Sequence, residues 1–240
     1  MMIEGKGRSS RARAYAVHLY TASGVVFALL AALETAMPEP DPRLVFIWLA
    51  VAVLIDATDG PLARRFEVKK HAPGIDGRKI DDIVDYLTFT FIPLLLVARM
   101  EWVPEPALLF VAPALVASLF GFANEGAKDE ANGFFLGFPS YWNIVALYLG
   151  IIAHEYGVWP NAVILLVLAI LTVTPIGFIY PNLAPRRWKL LILAGALVWL
   201  LMAVAMLRTY PVTPAWLFFA SLIYPVFYIV VSVIEYRRLQ

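Results

Sequence analysis

Apolar residues in this chain come in long blocks, interrupted at short intervals by polar, proline and glycine positions. Eight such blocks stand out, at approximately 14–36, 44–63, 80–100, 105–124, 139–155, 160–180, 188–208 and 213–235. Each approaches the roughly 20 residues that a helix needs to cross a bilayer, the fifth being short. Breaker chemistry separates them: Pro38-Glu39-Pro40, Pro73-Gly74, Pro104-Glu105-Pro106, Gly157 with Pro160, Pro181 with Pro185, and Pro211 with Pro214. The pattern predicts an all-α fold, a polytopic integral membrane helix bundle of about eight transmembrane helices, with residues 1–240 forming a single membrane domain. The first block follows a basic stretch (Lys6, Arg8, Arg11, Arg13), as in a signal peptide. At about 20 residues it is long enough to span and is expected to be retained.

Charge sets an orientation. With the N-terminus in the cytosol and sides alternating, cytosolic segments hold 16 Lys and Arg, against 3 outside (Arg43, Arg99, Arg208), which accounts for all 19. That asymmetry predicts cytosolic N- and C-termini. The chain is 61% hydrophobic and 15% charged, with a mean hydropathy of +0.76. A soluble domain this apolar would expose large sticky patches, whereas a bilayer covers them. The net charge of +1, with no basic run carrying interleaved aromatics, gives no sign of nucleic acid as a partner. There is no cysteine, which excludes disulfides, thiolate metal sites and cysteine nucleophiles.

The chemistry concentrates between Asp56 and Asp85. Asp56, Asp59, Gly60 and Ala63 fall at i, i+3, i+4 and i+7, one face of a helix. Gly77, Asp81 and Asp85 fall at i, i+4 and i+8, again one face. Each face combines carboxylates with residues too small to block a neighbour. Pressed together, the two would gather four carboxylates that repel one another unless cations join them. Oxygen-only donors favour a hard divalent ion, Mg²⁺ or Mn²⁺, and four carboxylates suit a pair of ions. Asp56 directly follows an apolar run and Asp85 opens another, where ionisable groups are usually functional. Asp82 lies outside the pattern and is expected on the helix surface, and Pro61 is expected to kink its helix.

The pattern D-x2-D-G-x2-A-R, then G-x3-D-x3-D, resembles the signature of the CDP-alcohol phosphotransferases. It is carried by Asp56, Asp59, Gly60, Ala63, Arg64, Gly77, Asp81 and Asp85. One departure is the spacing: twelve residues, Arg65 to Asp76, stand where most of that family has eight. The longer spacing is similar to that of the bacterial phosphatidylcholine synthases, which join CDP-diacylglycerol to free choline. So is the stretch from Gly133 to Asn143. The resemblance implies that choline's hydroxyl attacks the phosphorus bearing diacylglycerol, giving phosphatidylcholine and releasing CMP. It implies Asp56, Asp59, Asp81 and Asp85 as ligands of Mn²⁺ or Mg²⁺, with Asp85 also the general base. Asp56, Gly60, Ala63, Arg64 and Gly77 would hold CDP-diacylglycerol, joined by Thr21 on the first helix. A homodimer in the bacterial inner membrane, its active site facing the cytosol, follows from the same resemblance.

The remainder of the chain is less informative. His18 is expected to be a packed or interfacial histidine and not a ligand, and His71 and His154 are assigned no role. The helices over 188–235, free of ionisable groups in their apolar interiors, are expected to be scaffold. An acidic loop bearing Glu125, Asp129 and Glu130 precedes Phe134, Phe135, Tyr141 and Trp142. Aromatic faces beside negative charge suit a quaternary ammonium. Glu125, Phe134, Phe135, Tyr141 and Trp142 are therefore the candidate choline site, although Trp and Tyr also gather at membrane interfaces as anchors. Three alternatives stay open. Another CDP-alcohol phosphotransferase, acting on glycerol phosphate, inositol or serine, would share every motif residue. A divalent-cation transporter would also use intramembrane carboxylates, and a membrane scaffold would need none of this chemistry.

Overall fold

A computed structural model describes residues 2–129 and 131–239, without the side chains of residues 2–9 and 182. The chain divides into two compact units, residues 1–96 and 97–240. Every apolar block of the sequence has a helical counterpart. Among the described residues, four helical stretches are long and apolar enough to cross a membrane: Ser10–Thr35, Pro42–Arg65, Arg186–Thr209 and Ala215–Arg237. Leu108–Ala123 and Trp159–Val173 are apolar but shorter.

In the first unit, α1 (Met2–Ala22) passes through Ser23 into α2 (Gly24–Thr35). Helix α3 (Pro42–Arg65) begins where its sequence dictates. Asp41 caps it by accepting the Arg43 N–H at 2.9 Å, and Pro42 takes the first turn, where a missing N–H costs nothing. The Arg43 guanidinium, hydrogen-bonded to the Asp41 carboxylate, holds that carboxyl below its usual range. The helix continues through Pro61 to Arg65. A short α4 (Val68–His71) follows, starting after Glu67 in the left-handed region at φ 48°. Asp76 then caps α5 (Gly77–Asp85), accepting from the Arg78 and Lys79 N–H groups at 3.1 and 3.3 Å. A π-helical turn over Tyr86–Phe91 carries α5 into α6 (Ile92–Arg99). Helix α1 packs on α3, α4 and α5, and α2 lies along α3. Ala14, Val17, Val68 and Ala72 make a core against which Leu62, Ala63 and Phe66 pack.

The second unit holds α7 (Leu108–Ala123), α8 (Trp142–Tyr156), α9 (Trp159–Val173), α10 (Arg186–Thr209) and α11 (Ala215–Arg237). It also departs from the all-α expectation. A small antiparallel sheet joins β1 (Lys128–Asp129), β2 (Phe134–Leu136) and β3 (Gly177–Ile179), with Phe134 opposite Ile179 and Leu136 opposite Gly177. The apolar block at 160–180 is thus helix only to Val173, and its last residues are strand. Strand β3 packs on α11, where Phe134, Ile179, Ala184, Ile192 and Val231 form a core. The β2–β3 pairing sets the α7–α8 and α9–α10 connections at one end of this unit. Glu235, near the end of α11, accepts from Arg187, from the Trp188 indole at 3.0 Å and from Arg238 at 3.1 Å. The start of α10 therefore lies at the same end as the C-terminus of α11.

Gly137 makes the turn after β2 possible. Its φ is +94°, and a Cβ there would lie 2.2 Å from the Thr172 carbonyl oxygen. Gly137→Ala is expected to cost at least about 1 kcal/mol through the strained φ alone. That lowers the melting temperature in detergent by at least about 2 °C. Gly74→Ala, where a Cβ meets nothing within 4 Å, should leave it unchanged. Equal melting of the two variants would show that the turn does not depend on glycine.

Candidate metal centre

Both aspartate-bearing helices belong to the first unit, and α1 packs against each. Asp56 faces inward from the middle of α3, while Asp81 and Asp85 share one face of α5. The structure brings these three together: each offers a carboxylate oxygen, all within 4.8 Å of one another, and all three residues are half-buried. Donors on one divalent ion at about 2.1 Å stand roughly 3.0 Å apart when adjacent and about 4.2 Å when opposed. The triad is thus already near the spacing that a single ion imposes. Its donors are all carboxylate oxygens, with no nitrogen or sulfur, which fits Mg²⁺ or Mn²⁺.

Asp59 is placed differently. It is 8% exposed, stands outside the triad, and lies in hydrogen-bonding reach of the Thr21 hydroxyl on α1. Close by, the Tyr20 and Thr58 hydroxyls meet at 2.8 Å, a second polar link between α1 and α3. Thr21 is buried, so the first helix does bring a hydroxyl to the aspartate face. Arg64 is exposed at the end of α3, and Ala63 packs into the α1–α4 core. Asp82 is half-buried rather than on the open surface.

The two motif glycines differ in kind. A Cβ on Gly77 would come within 2.8 Å of the His18 ring, so glycine lets α5 lie directly on α1. A Cβ on Gly60 would meet only the tip of Arg64, at 3.5 Å. Packing demands the first glycine and leaves the second unexplained. His18 is packed, as its sequence context suggests: it is 7% exposed and forms the surface on which Gly77 rests. It stands three residues before Thr21, on one helical face. The π-helical turn directly after Asp85 was missed.

The candidate choline residues all belong to the second unit. Glu125 is exposed in a 3₁₀ turn, and Glu130 lies outside the described residues. Phe135 is half-buried, edge-on to Tyr180 at 6.3 Å, and Tyr141 is half-buried just before α8. Phe134 sits in the β3–α11 core, 3% exposed. Trp142 is fully buried and donates its indole N–H to Ser118 at 2.6 Å.

Four helical stretches of membrane-crossing length among the described residues, one of them bringing Asp56 to Asp81 and Asp85 of the short α5, define a helical membrane protein whose clustered carboxylates could hold a divalent ion. No protein-family model matches the chain. It is 42% identical over 193 residues to the phosphatidylcholine synthase of Pseudomonas aeruginosa, covering 80% of this chain and 79% of that one. It is 34% identical over 208 residues to the phosphatidylcholine synthase of Rhizobium meliloti, covering 85% and 83%. With that of Legionella bozemanae the identity is 36% over 175 residues, covering 70% and 79%. The chain belongs to the bacterial phosphatidylcholine synthase family.

Asp56→Asn, Asp81→Asn and Asp85→Asn are each expected to weaken Mn²⁺ binding by at least about tenfold in a spectroscopic titration. Even the outer partners of metal ligands are worth about 10–100-fold. Asp82→Asn should bind as the parent does. A triad variant with unchanged affinity would remove that residue from the donor set.

Proposed function

We propose that this protein is a CDP-diacylglycerol–choline O-phosphatidyltransferase. The observation that carries the reading is the Asp56, Asp81 and Asp85 triad, set at one point of a helix pair in a chain of this family. Choline's oxygen attacks the phosphorus bearing diacylglycerol, the bond from that phosphorus to the CMP oxygen breaks, and CMP leaves. Phosphoryl transfer of this kind asks mainly for positioning and charge stabilisation. Asp56, Asp81 and Asp85, with Asp59 completing the four acids, would hold Mn²⁺ or Mg²⁺ as a pair of ions. Bound there, such ions supply neutralisation of the charge that builds on the diphosphate oxygens. Asp85 also accepts the hydroxyl proton of choline, and Arg64 pairs with a phosphate oxygen. Thr21, Gly60, Ala63 and Gly77 shape the face on which the nucleotide lies. The openness around Gly60 supports this, because that space is left to no other part of the protein.

The same reading extends to the membrane. The chain crosses it eight times as one membrane domain, with both termini and the active site at the cytosolic face of a bacterial inner membrane, and it works as a homodimer. The joining of the α7–α8 and α9–α10 connections through β2 and β3 supports an even number of crossings between them. Choline is held by Glu125, Phe135 and Tyr141, the three candidates that keep accessible surface, with Phe134 and Trp142 packed behind them.

Purified protein offered CDP-diacylglycerol with choline, glycerol phosphate, inositol or serine should release CMP with choline. Preference for another alcohol would assign a sister activity, and release with none would return the triad to a transport or structural role. Asp85→Asn should lower the rate on the order of 10²–10⁴-fold while the protein remains folded. Activity lost in EDTA should return with Mn²⁺ or Mg²⁺. Full turnover in chelator would sink the metal assignment.

Tyr141→Leu and Glu125→Gln are expected to raise the KM for choline about 2- to 30-fold, the worth of a cage aromatic. The KM for CDP-diacylglycerol should stay in place. Equal effects on both substrates, or none, would make these residues membrane-interface anchors.

A further inference from the structure

The second unit contains an apolar groove that shares only Tyr141, at its border, with the candidate choline residues. It has a volume of about 370 Å³ and is bordered by α8, α9, α10 and α11. Ile144, Tyr148 and Ile152, at i, i+4 and i+8, mark its floor on one face of α8 over about 12 Å. No residue along it is ionised.

Its wall is a file of aromatic rings. Trp199 lies 6.4 Å from Tyr224, Tyr224 6.4 Å from Tyr228, Tyr228 6.4 Å from Phe178, and Phe178 6.5 Å from Phe138. The polar ends of these rings are tied into the protein. Tyr228 donates to the Ile179 carbonyl at 2.6 Å and Tyr224 to the Ile192 carbonyl at 3.0 Å. The Trp199 indole donates to the Tyr148 hydroxyl at 2.9 Å, which in turn donates to Ser221 at 3.0 Å. What faces the groove is therefore carbon. Rings anchored at their far edges also resist collapse, so the slot is formed before anything enters it.

Three occupants can be weighed. A helix from a second copy would find neither the small residues nor the free polar groups by which membrane helices associate. Bulky aliphatic and aromatic side chains line the groove, and the Tyr148, Tyr224 and Tyr228 hydroxyls are already bonded. A free cation would be desolvated with no opposite charge facing it. A single alkyl chain has neither difficulty. It needs no hydrogen bond, and it touches ring faces and aliphatic side chains along its whole length.

The geometry points to a lipid-binding site: one acyl chain of a bilayer phospholipid lies in this groove against the Trp199–Tyr224–Tyr228 wall. A chain moving from bilayer to groove leaves hydrocarbon for hydrocarbon, so packing against a preformed wall is what holds it. The site depends on the chain residing in a bilayer and not on the transfer reaction.

The test uses the full-length protein in liposomes containing a phospholipid with a photoactivatable diazirine in one acyl chain, mapped by peptide mass spectrometry. Label is expected on Ile144 or Ile152 within the groove, as well as on Leu201, which is 62% exposed on α10. Leu168→Trp and Leu222→Phe each fill the groove from a different helix. Either one, if it keeps the parent melting temperature, should cut groove label at least fivefold and leave Leu201 label unchanged. Persistent groove label in a folded variant, or label on Leu201 alone in the parent, would overturn the site. So would displacement of groove label by millimolar choline, or protein–protein adducts at Ile152. None of these outcomes depends on CMP release, so the site and the proposed reaction can fail separately.

Discussion

Three carboxylates, each with an oxygen within 4.8 Å of the others, set the electrostatic constraint on the first unit. At an effective dielectric near 20, two unit charges at that distance repel by on the order of 3–4 kcal/mol. The close packing of α1 and α2 onto α3 and α5 opposes that repulsion. Gly24 lets Val84 approach so closely that a Cβ would stand 2.6 Å from a methyl carbon, and Gly77 does the same for His18. The caps at Asp41 and Asp76 fix where α3 and α5 start, and so which face each turns inward. A divalent ion would turn the remaining repulsion into attraction, which makes the packed helix pair more favourable occupied than empty.

Much of the fold was legible because a membrane helix announces itself by composition over a long window. Each apolar block has a helical counterpart, although the block at 160–180 ends in strand and four helical stretches among the described residues reach membrane-crossing length. The i, i+3, i+4 spacing on α3 and the i, i+4, i+8 spacing on α5 set Asp56, Asp81 and Asp85 face to face. What escaped was short or non-local. Strands of two and three residues carry no periodicity, and β2 pairs with β3 across some forty residues of chain. Gly133, Gly137 and Pro175 were the only local signs that the backbone leaves helical geometry there. The separation of Asp59 from its three companions was equally hidden. Spacing puts it on the face of Asp56, and only the position of α1 turns its carboxylate toward Thr21.

Several buried polar side chains of the second unit find partners within the protein, as exclusion of water requires of a donor. Trp142 spends its indole on Ser118, and Ser140 joins the same hydroxyl at 3.0 Å. Asn161 gives both amide hydrogens to carbonyls, those of Trp102 and Leu149 at 2.7 and 2.8 Å. The Glu235 carboxylate collects two arginines and an indole. These bonds explain why aromatic residues that look like ligand-binding candidates in the sequence are, in part, structural. The Trp142 indole has already donated, and the residue has no exposed surface. Tyr141 and Phe135 differ from Trp142 in keeping open surface.

The motif itself mixes the two kinds of requirement. Gly77 and Gly60 hold equivalent places in the signature, one on each aspartate helix, and a motif match gives them the same weight. Their surroundings separate them. At Gly77 the space a side chain would need is filled by the His18 ring, so the residue is set by helix packing. At Gly60 that space is open apart from the mobile end of an exposed arginine, so nothing within the protein asks for glycine. Gly60 thus has room beside it that no other described side chain fills. It lies next to Asp59 and one turn from Asp56, on the helix whose last turn presents Arg64. Open space beside the carboxylates at Gly60, and filled space at Gly77, are what separate two glycines that the motif treats alike.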